Sequence, residues 1–157
     1  MLDFIQTSGN CITLNMSSNI KGNHATIKVP YTFDGNVIYA STTTTENTTD
    51  TENFPFQKWD PQWKNGRYIT DINICKADSR GFHYSVNGET SGTAVYISAD
   101  GNADLTYMWG LHYSGLRIAG AFSYGIRAKN LHEGWLHEMR IDAFIDACEI
   151  GVSLEDC

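Results

Sequence analysis

The feature that most constrains this chain is a short apolar–polar–apolar triplet that recurs through its second half. The triplets begin at Ile72, Val95, Leu116 and Met139, so their starts are almost evenly spaced. A repeat of about 20–25 residues that carries short strands, and no amphipathic helix, is typical of a coiled solenoid. A second set of strands has a similar spacing, from Ile126 to Ile150.

Stacked turns would bury apolar side chains that a single turn cannot bury alone. Stacking at about 4.8 Å pairs each strand with the strands above and below it. The triplets would then form two apolar ladders, one of Ile72, Val95, Leu116 and Met139 and one of Ile74, Ile97, Ile118 and Ile141. The pattern predicts an all-β chain folded as a parallel β-helix with rungs of about 21–24 residues. An antiparallel β-sandwich is the alternative, but it does not explain an in-register repeat.

The chain is predicted to be a single domain, residues 1–157, with one long loop excursion at residues 41–66. The excursion begins with a polar, threonine-rich run that has no periodicity, and Trp59 and Trp63 follow it. Loops of this length in compact domains are usually functional or disordered.

Charge and cysteine usage narrow the classes of partner. The formal net charge of −7 disfavours nucleic acid and anionic membrane surfaces as partners. There is no run of about 18 apolar residues, so no membrane insertion is predicted, and the N-terminus lacks the features of a signal peptide. The four cysteines form no CxxC pair or zinc spacing. We therefore predict free thiols, no bound metal and no cofactor.

Acidic residues near the fourth triplet are candidates for sugar chemistry. Glycoside hydrolysis uses two carboxyl groups, about 5–5.5 Å apart for retention and about 6.5–9.5 Å apart for inversion. Glu138 and Asp142 would share one strand face about 13 Å apart, with Arg140 between them. Asp146 and Glu133 fall at predicted turns and are further candidates, although turn acids are more often turn formers.

Aromatic and basic residues are the candidates for binding substrate. The middle positions of the triplets would lie on one exposed sheet surface, which places Tyr96, Arg117 and Arg140 there beside Asn73. A pyranose ring presents an apolar face that stacks on aromatic rings. The tryptophans that could supply such a ring are Trp59, Trp63, Trp109 and Trp135.

Three stretches resemble bacteriophage tailspike proteins and related pectate-lyase-like proteins. Residues 12–29 (ITLNMSSNIKGNHATIKV) are similar to opening rungs of a tailspike, and residues 66–72 (GRYITDI) and 116–157 continue the likeness. The resemblance is architectural, covers about two thirds of the chain, and includes no catalytic signature. It implies a right-handed, single-stranded parallel β-helix that forms a homotrimer. It also implies that the chain is a fragment of a longer protein.

The resemblance carries an expectation about function as well. Proteins of this kind bind or cleave bacterial surface polysaccharide, by hydrolysis or by lyase chemistry, as part of the virion tail. Such a protein would be made in the host cytoplasm without a signal peptide and would act outside the cell after release. A non-catalytic structural or adhesion β-helix, and a pectate-lyase-like enzyme unrelated to phage, remain alternatives.

Overall fold

The structure is a computed structural model that describes residues 7–14, 19–41, 67–78, 81–82, 89–99, 107–109, 111–130, 135–137 and 140–155. These residues form twelve strands and no helix. In chain order they are β1 (Ser8–Leu14), β2 (Ile20–Pro30), β3 (Asp34–Ser41), β4 (Arg67–Asp78), β5 (Gly81–Phe82), β6 (Thr93–Ala99), β7 (Tyr107–Trp109), β8 (Leu111–Ala119), β9 (Tyr124–Asn130), β10 (Trp135–His137), β11 (Arg140–Asp146) and β12 (Ile150–Glu155).

The strands belong to three sheets in which nearly all neighbours run parallel. Sheet A has the order β1-β3-β6-β9-β12, sheet B has the order β2-β4-β8-β11, and sheet C pairs β7 with β10. The short β5 is the exception, since it pairs antiparallel with β4. The chain passes repeatedly from sheet B to sheet A, as β2 to β3, β4 to β6, β8 to β9 and β11 to β12. The prediction of an all-β chain with parallel strands is confirmed.

The predicted alignment of the four triplets is wrong. Ile74 does pair with Ile118 in sheet B, but Ile97 lies in sheet A, between Ala40 and Ala128. Apolar–polar alternation occurs in the strands of both sheets, so the triplet pattern could not tell one sheet from the other.

The predicted repeat at the end of the chain is also out of register. Ile118 pairs with Ile145 and not with Ile141, which lies opposite Tyr113. Val152, and not Ile150, pairs with Ile126. In both cases the true partner lies further along the chain, so the predicted rungs are too short for these pairs. Met139, the last member of the first predicted ladder, lies outside the described residues, as does most of the predicted excursion, residues 42–66.

A common apolar core joins sheets A and B. Ile38, Val95 and Ile126 are paired in sheet A and fully buried. In sheet B, Ile74 and Ile118 are buried in the same cluster. Burial of each of these side chains stabilises the fold by roughly 1.5–3 kcal/mol.

The connections from sheet B to sheet A stack on one another at a corner. Backbone amides of one connection donate to carbonyls of the next, as Ser91 N does to Ala121 O at 3.2 Å and Glu149 N does to Phe122 O at 2.9 Å. Phe33 and Phe122 fill the inside of this corner and are fully buried. The corner therefore fixes how each strand of sheet B leads into sheet A.

Candidate functional site

Sheet B bends at one level in three of its four strands, β2, β4 and β8. Residues with left-handed backbone lie side by side there, with φ of 65° at His24, 55° at Asp71 and 62° at Gly115. The pairing jumps from Lys21 with Thr70 to Ala25 with Ile72, so three β2 residues face Asp71 alone. Such bulges bend a strand and re-aim its side chains.

The bend requires glycine at the centre of the sheet. A Cβ on Gly115 would lie 2.6 Å from Oδ1 of Asp71 and would also force a side chain into left-handed backbone. A Cβ on Gly22 would lie 2.5 Å from the Asp71 carbonyl oxygen. The two glycines therefore let the strands on both sides approach Asp71 closely.

The outer face of sheet B, which carries Asn73, Arg117 and Phe144, forms a groove along this bend. Each of these three residues alternates with apolar positions that face the core, such as Ile74 and Ile118. One part of the groove has a volume of about 420 Å³ and is lined by His24, Asp71, Asn73, Gly115, Leu116, Arg117, Asp142 and Phe144. An adjoining part of about 400 Å³ shares Asn73, Arg117 and Phe144 and extends to Thr26 and Asp146.

Two carboxyl groups stand on opposite sides of Gly115 in this groove. Asp71 lies on β4, and Asp142 lies on β11 between Ile141 and Ala143, where β8 has one extra residue. Two strand spacings separate their backbones, which is about 10 Å. Inverting glycosidases hold their two carboxyl groups about 6.5–9.5 Å apart, which is close to this backbone spacing.

A row of polar and aromatic side chains crosses the groove beside this acid pair. Asn73, Arg117 and Phe144 are paired across β4, β8 and β11. Asn73 Nδ2 donates to the carbonyl oxygen of His24 at 3.0 Å, which ties the amide to the bulge. Arg117 is exposed, and Phe144 leaves 66% of its surface in solvent. The row combines a cation with an apolar ring, a pairing suited to a partly charged sugar.

The structure brings together three of the predicted site residues and separates others. Arg117, Asp142 and Asp146 all line the groove. Arg140 begins β11, opposite His112, and is exposed. Tyr96 lies in sheet A, so its predicted placement on one face with Arg117 is wrong.

The remaining predicted residues have no described side chain. Glu133, Glu138, Trp59 and Trp63 lie outside the described residues. Trp109 ends β7, and Trp135 begins β10, which pairs parallel with β7. The partner that the sequence assigned to Asp142 was Glu138, whereas the groove supplies Asp71.

His24 and Phe144 are groove residues that the sequence interpretation missed, and Asp71 is one that it did not select as a candidate acid. The available signal was the position just before each triplet, because Asp71 and Gly115 precede Ile72 and Leu116. An acid and a glycine at equivalent positions of neighbouring strands indicate a bend at which the acid packs over the glycine.

Sheet A carries a separate row of rings and charges. Tyr39, Tyr96 and Arg127 are paired across β3, β6 and β9. The tyrosine ring centroids are 5.6 Å apart, and the Arg127 guanidinium lies 5.6 Å from the Tyr96 centroid and 4.6 Å from that of Tyr124. Arg127 also donates to both carboxylate oxygens of Glu155, at 2.7 and 3.0 Å. This row satisfies its own charges, so we assign it a structural role.

Glu155→Gln is expected to remove the acid sensitivity that this pair contributes. The hydrogen bonds from Arg127 lower the pKa of Glu155 to about 2 from 4.5. Because the pKa is depressed in the folded state, the stabilisation is present above pH 4.5 and is lost as the pH falls towards 2. Because the pair is partly exposed, we expect Glu155→Gln to lower the free energy of unfolding by about 1 kcal/mol at neutral pH, as measured by urea unfolding. If Glu155→Gln lowered the free energy of unfolding equally at pH 3 and pH 7, the lowered pKa of Glu155 would be contradicted.

The described residues contain no obvious site for a metal. No three His, Cys, Asp or Glu side chains among them are grouped closely enough to hold an ion. Cys11, Cys75 and Cys148 are free thiols. No helix in the described part of the chain is long and apolar enough to cross a membrane.

Comparison with known proteins leaves the family open. The chain matches no protein-family model, no curated protein and no solved structure. The resemblance to tailspikes therefore stays a prediction from the sequence, and the groove is the basis for the function.

Proposed function

We propose that this chain is a segment of a right-handed, single-stranded parallel β-helix similar to phage tailspikes, and that sheet B binds bacterial surface polysaccharide. Repeated passage from sheet B to sheet A, with parallel pairing within each sheet, supports the β-helix. Such a coil exposes long sheet faces, along which an extended polysaccharide could lie.

The observation that carries the proposal is the groove on the outer face of sheet B. Phe144 offers an exposed ring on which the apolar face of a pyranose can stack. Arg117, paired directly with it, supplies a guanidinium suited to a carboxylate or sulfate on the sugar. Asn73, which is paired with Arg117 on the other side, adds an amide. One groove therefore offers stacking, charge and hydrogen bonding together.

The groove also has the groups for hydrolysis with inversion. One carboxyl group of the pair Asp71 and Asp142 would protonate the glycosidic oxygen, and the other would take a proton from the attacking water. The water adds to the anomeric carbon as the bond to the leaving oxygen breaks. The backbones of Asp71 and Asp142 are about 10 Å apart across Gly115, which leaves room for that water.

The proposal includes the setting that the sequence resemblance implies. We place the protein in a virion tail, acting outside the cell, and we propose a homotrimer. Trimer formation would leave the groove accessible only if the outer face of sheet B points away from the trimer axis.

Loss of Arg117 or Phe144 is the test of binding. The unmodified protein is first tested against a panel of bacterial surface polysaccharides to find one that it binds. We expect Arg117→Ala and Phe144→Ala each to weaken binding to that polysaccharide. The expected loss is about tenfold or more, or about 1.4 kcal/mol. Lys129→Ala removes a cation from sheet A and serves as the control. We expect its affinity for the polysaccharide to be unchanged. Equal effects of all three substitutions would place the binding surface elsewhere.

Cleavage is tested separately with Asp71→Asn and Asp142→Asn. We expect each to lower the release of reducing ends by about 10²- to 10⁴-fold while polysaccharide binding persists. Asp34→Asn, on an exposed carboxylate at the start of β3, is the matched control. If the unmodified protein binds polysaccharide and releases no reducing ends and no unsaturated products, the protein is a non-catalytic adhesion β-helix.

A further inference from the structure

Two polar side chains lie next to each other in the middle of the sheet B groove. Asn73 and Arg117 are directly paired across β4 and β8, so their backbones lie one strand spacing apart, which is about 4.8 Å. Strand β4 has β2 as its other neighbour, and β8 has β11. The two side chains therefore belong to the interior of the sheet and not to either of its edges.

The amide of Asn73 is held in one orientation. Its Nδ2 atom donates to the carbonyl oxygen of His24 at 3.0 Å and to Oγ1 of Thr26 at 3.3 Å. A carbonyl oxygen only accepts hydrogen bonds, so the nitrogen of the amide must face His24. Both N–H groups of Asn73 are used in this way within the sheet. Asn73 therefore offers the groove its Oδ1 atom, which is an acceptor.

Arg117 supplies the complementary donors. It is exposed on β8, and its guanidinium carries several N–H groups and no acceptor. A secondary amide on a ligand has an N–H donor and a carbonyl acceptor on two different atoms, so it matches an acceptor and a donor on adjacent strands. A carboxylate or a sulfate has no donor for Asn73. A carbonyl oxygen occupies only part of the guanidinium, so Arg117 keeps N–H groups for a charged group on the same sugar.

A floor of small side chains continues from this pair along the same two strands. Cys75 follows Asn73 by two residues on β4, and Ala119 follows Arg117 by two residues on β8. Residues two apart in a strand face the same side of the sheet. Cys75 and Ala119 are also paired with each other, and all four residues line the part of the groove that has a volume of about 400 Å³. The floor therefore has room for a small apolar group beside the polar pair.

We propose that this part of the groove is a subsite for the acetamido group of an N-acetylated amino sugar. The N–H of the acetamido group donates to Oδ1 of Asn73, its carbonyl oxygen accepts from Arg117, and its methyl group packs on Cys75 and Ala119. This inference rests on the proposed binding of polysaccharide and narrows the ligand to polymers that contain N-acetylated sugars. A hydroxyl in place of the acetamido group would leave the apolar floor uncovered.

The test compares three forms of one polysaccharide that differ only at the amino-sugar nitrogen. The panel of bacterial polysaccharides includes polymers with and without N-acetylated sugars, and the polymer that the unmodified protein binds is N-deacetylated. One sample is kept as the free amine, one is acetylated again and one is formylated. A formyl group keeps the N–H and the carbonyl oxygen and lacks the methyl group.

We expect the acetylated polymer to bind as the native polymer does. The formylated polymer should bind about fourfold more weakly, because burial of one methyl group contributes about this factor. The free amine should bind at least tenfold more weakly than the acetylated form, since it has no carbonyl oxygen and brings a positive charge to Arg117. Isothermal titration calorimetry measures the three affinities.

Ala119→Val tests the position of the methyl group. The larger side chain fills the floor, so we expect the acetylated polymer to bind the variant at least fourfold more weakly than it binds the unmodified protein. Binding of the formylated polymer should be unchanged, and this result together with circular dichroism establishes that the groove is folded. The variant should therefore lose the preference for acetyl over formyl.

Three results would overturn the acetamido subsite and leave polysaccharide binding intact. They are a bound polymer that has no acetamido group, equal affinity for the acetylated and formylated forms, and a preference for acetyl that survives Ala119→Val. Failure to bind any polysaccharide of the panel would overturn the proposed function, and the subsite with it.

Discussion

Replacing Gly125 with alanine is expected to lower the free energy of unfolding by about 3 kcal/mol, whereas the same substitution at Gly151 is expected to raise it by up to about 1 kcal/mol. A Cβ on Gly125 would lie 2.6 Å from the Gly151 carbonyl oxygen and 2.8 Å from Cγ2 of Ile145. Backbone and a packed branched side chain cannot both move away, and overpacking of this kind costs roughly 1–3 kcal/mol.

Gly151 is a matched control because it lies at the neighbouring position one strand further on. Its Cβ would meet a single atom, Cγ2 of Ile145, at 4.0 Å, which is ordinary contact distance. Alanine there also reduces the entropy of the unfolded chain, which stabilises by about 0.4–1 kcal/mol. Both variants are compared by urea unfolding followed by circular dichroism. Equal destabilisation by the two substitutions would show that β9 and β12 are not paired in this register.

The unfolding free energy is expected to rise with pH because of a buried lysine at the corner between sheets A and B. Lys76 is fully buried, and its Nζ donates to the carbonyl oxygen and Oγ of Ser91 at 2.5 and 2.7 Å. The Phe122 ring centroid lies 5.2 Å from Nζ. Desolvation lowers the pKa of Lys76 to about 8, although Asp34 and Cys148 oppose the shift.

The sign of the effect follows from which state holds the proton. Between pH 8 and pH 10.5 the unfolded chain keeps Lys76 protonated, whereas the folded chain does not. Stability therefore rises with pH across this window, by up to about 3 kcal/mol at roughly 1.36 kcal/mol for each pKa unit. Burial raises the pKa of Cys148 to about 11, which lowers stability between pH 9 and pH 11. The lysine effect is clearest in a Cys148→Ser background.

Lys76→Met is the variant that isolates the lysine. Methionine fills a similar volume and does not titrate. The free energy of unfolding of the lysine protein should therefore rise by about 3 kcal/mol relative to that of the methionine variant from pH 8 to pH 10.5. Urea unfolding of both proteins in the Cys148→Ser background measures the difference. A difference that is independent of pH would mean that Lys76 keeps its ordinary pKa in the folded protein.

Much of the strand content was predictable from the sequence, but the register was not. Residues 72–74, 95–97 and 116–118 are strand as the triplets predict. Period-two alternation fixes which side chains face the core and carries no information about which sheet a strand joins. The triplet that begins at Val95 was therefore assigned as a neighbour of the triplet at Ile72, although a corner separates them.

The candidate site was predictable only in part, because alternation shows which side of a strand a residue faces but not which strands are neighbours. Arg117 and Asp142 were found because each lies on the solvent side of a strand that the pattern identified. Tyr96 was assigned to that surface because its strand was placed in the wrong sheet. Asp71 was missed as a partner of Asp142 because their proximity depends on strand order and on the bend around Gly115, and neither is encoded by local alternation.

The most direct test of this account is the set of interstrand nuclear Overhauser effects in the uniformly labelled protein. The groove exists only if β4, β8 and β11 are neighbours in the register described. We expect backbone contacts between Asn73 and Arg117 and between Arg117 and Phe144, and a separate contact between Tyr96 and Arg127 in sheet A. Contacts that link Asn73 to Tyr96 and Tyr96 to Arg117 would contradict the two-sheet register and the groove with it.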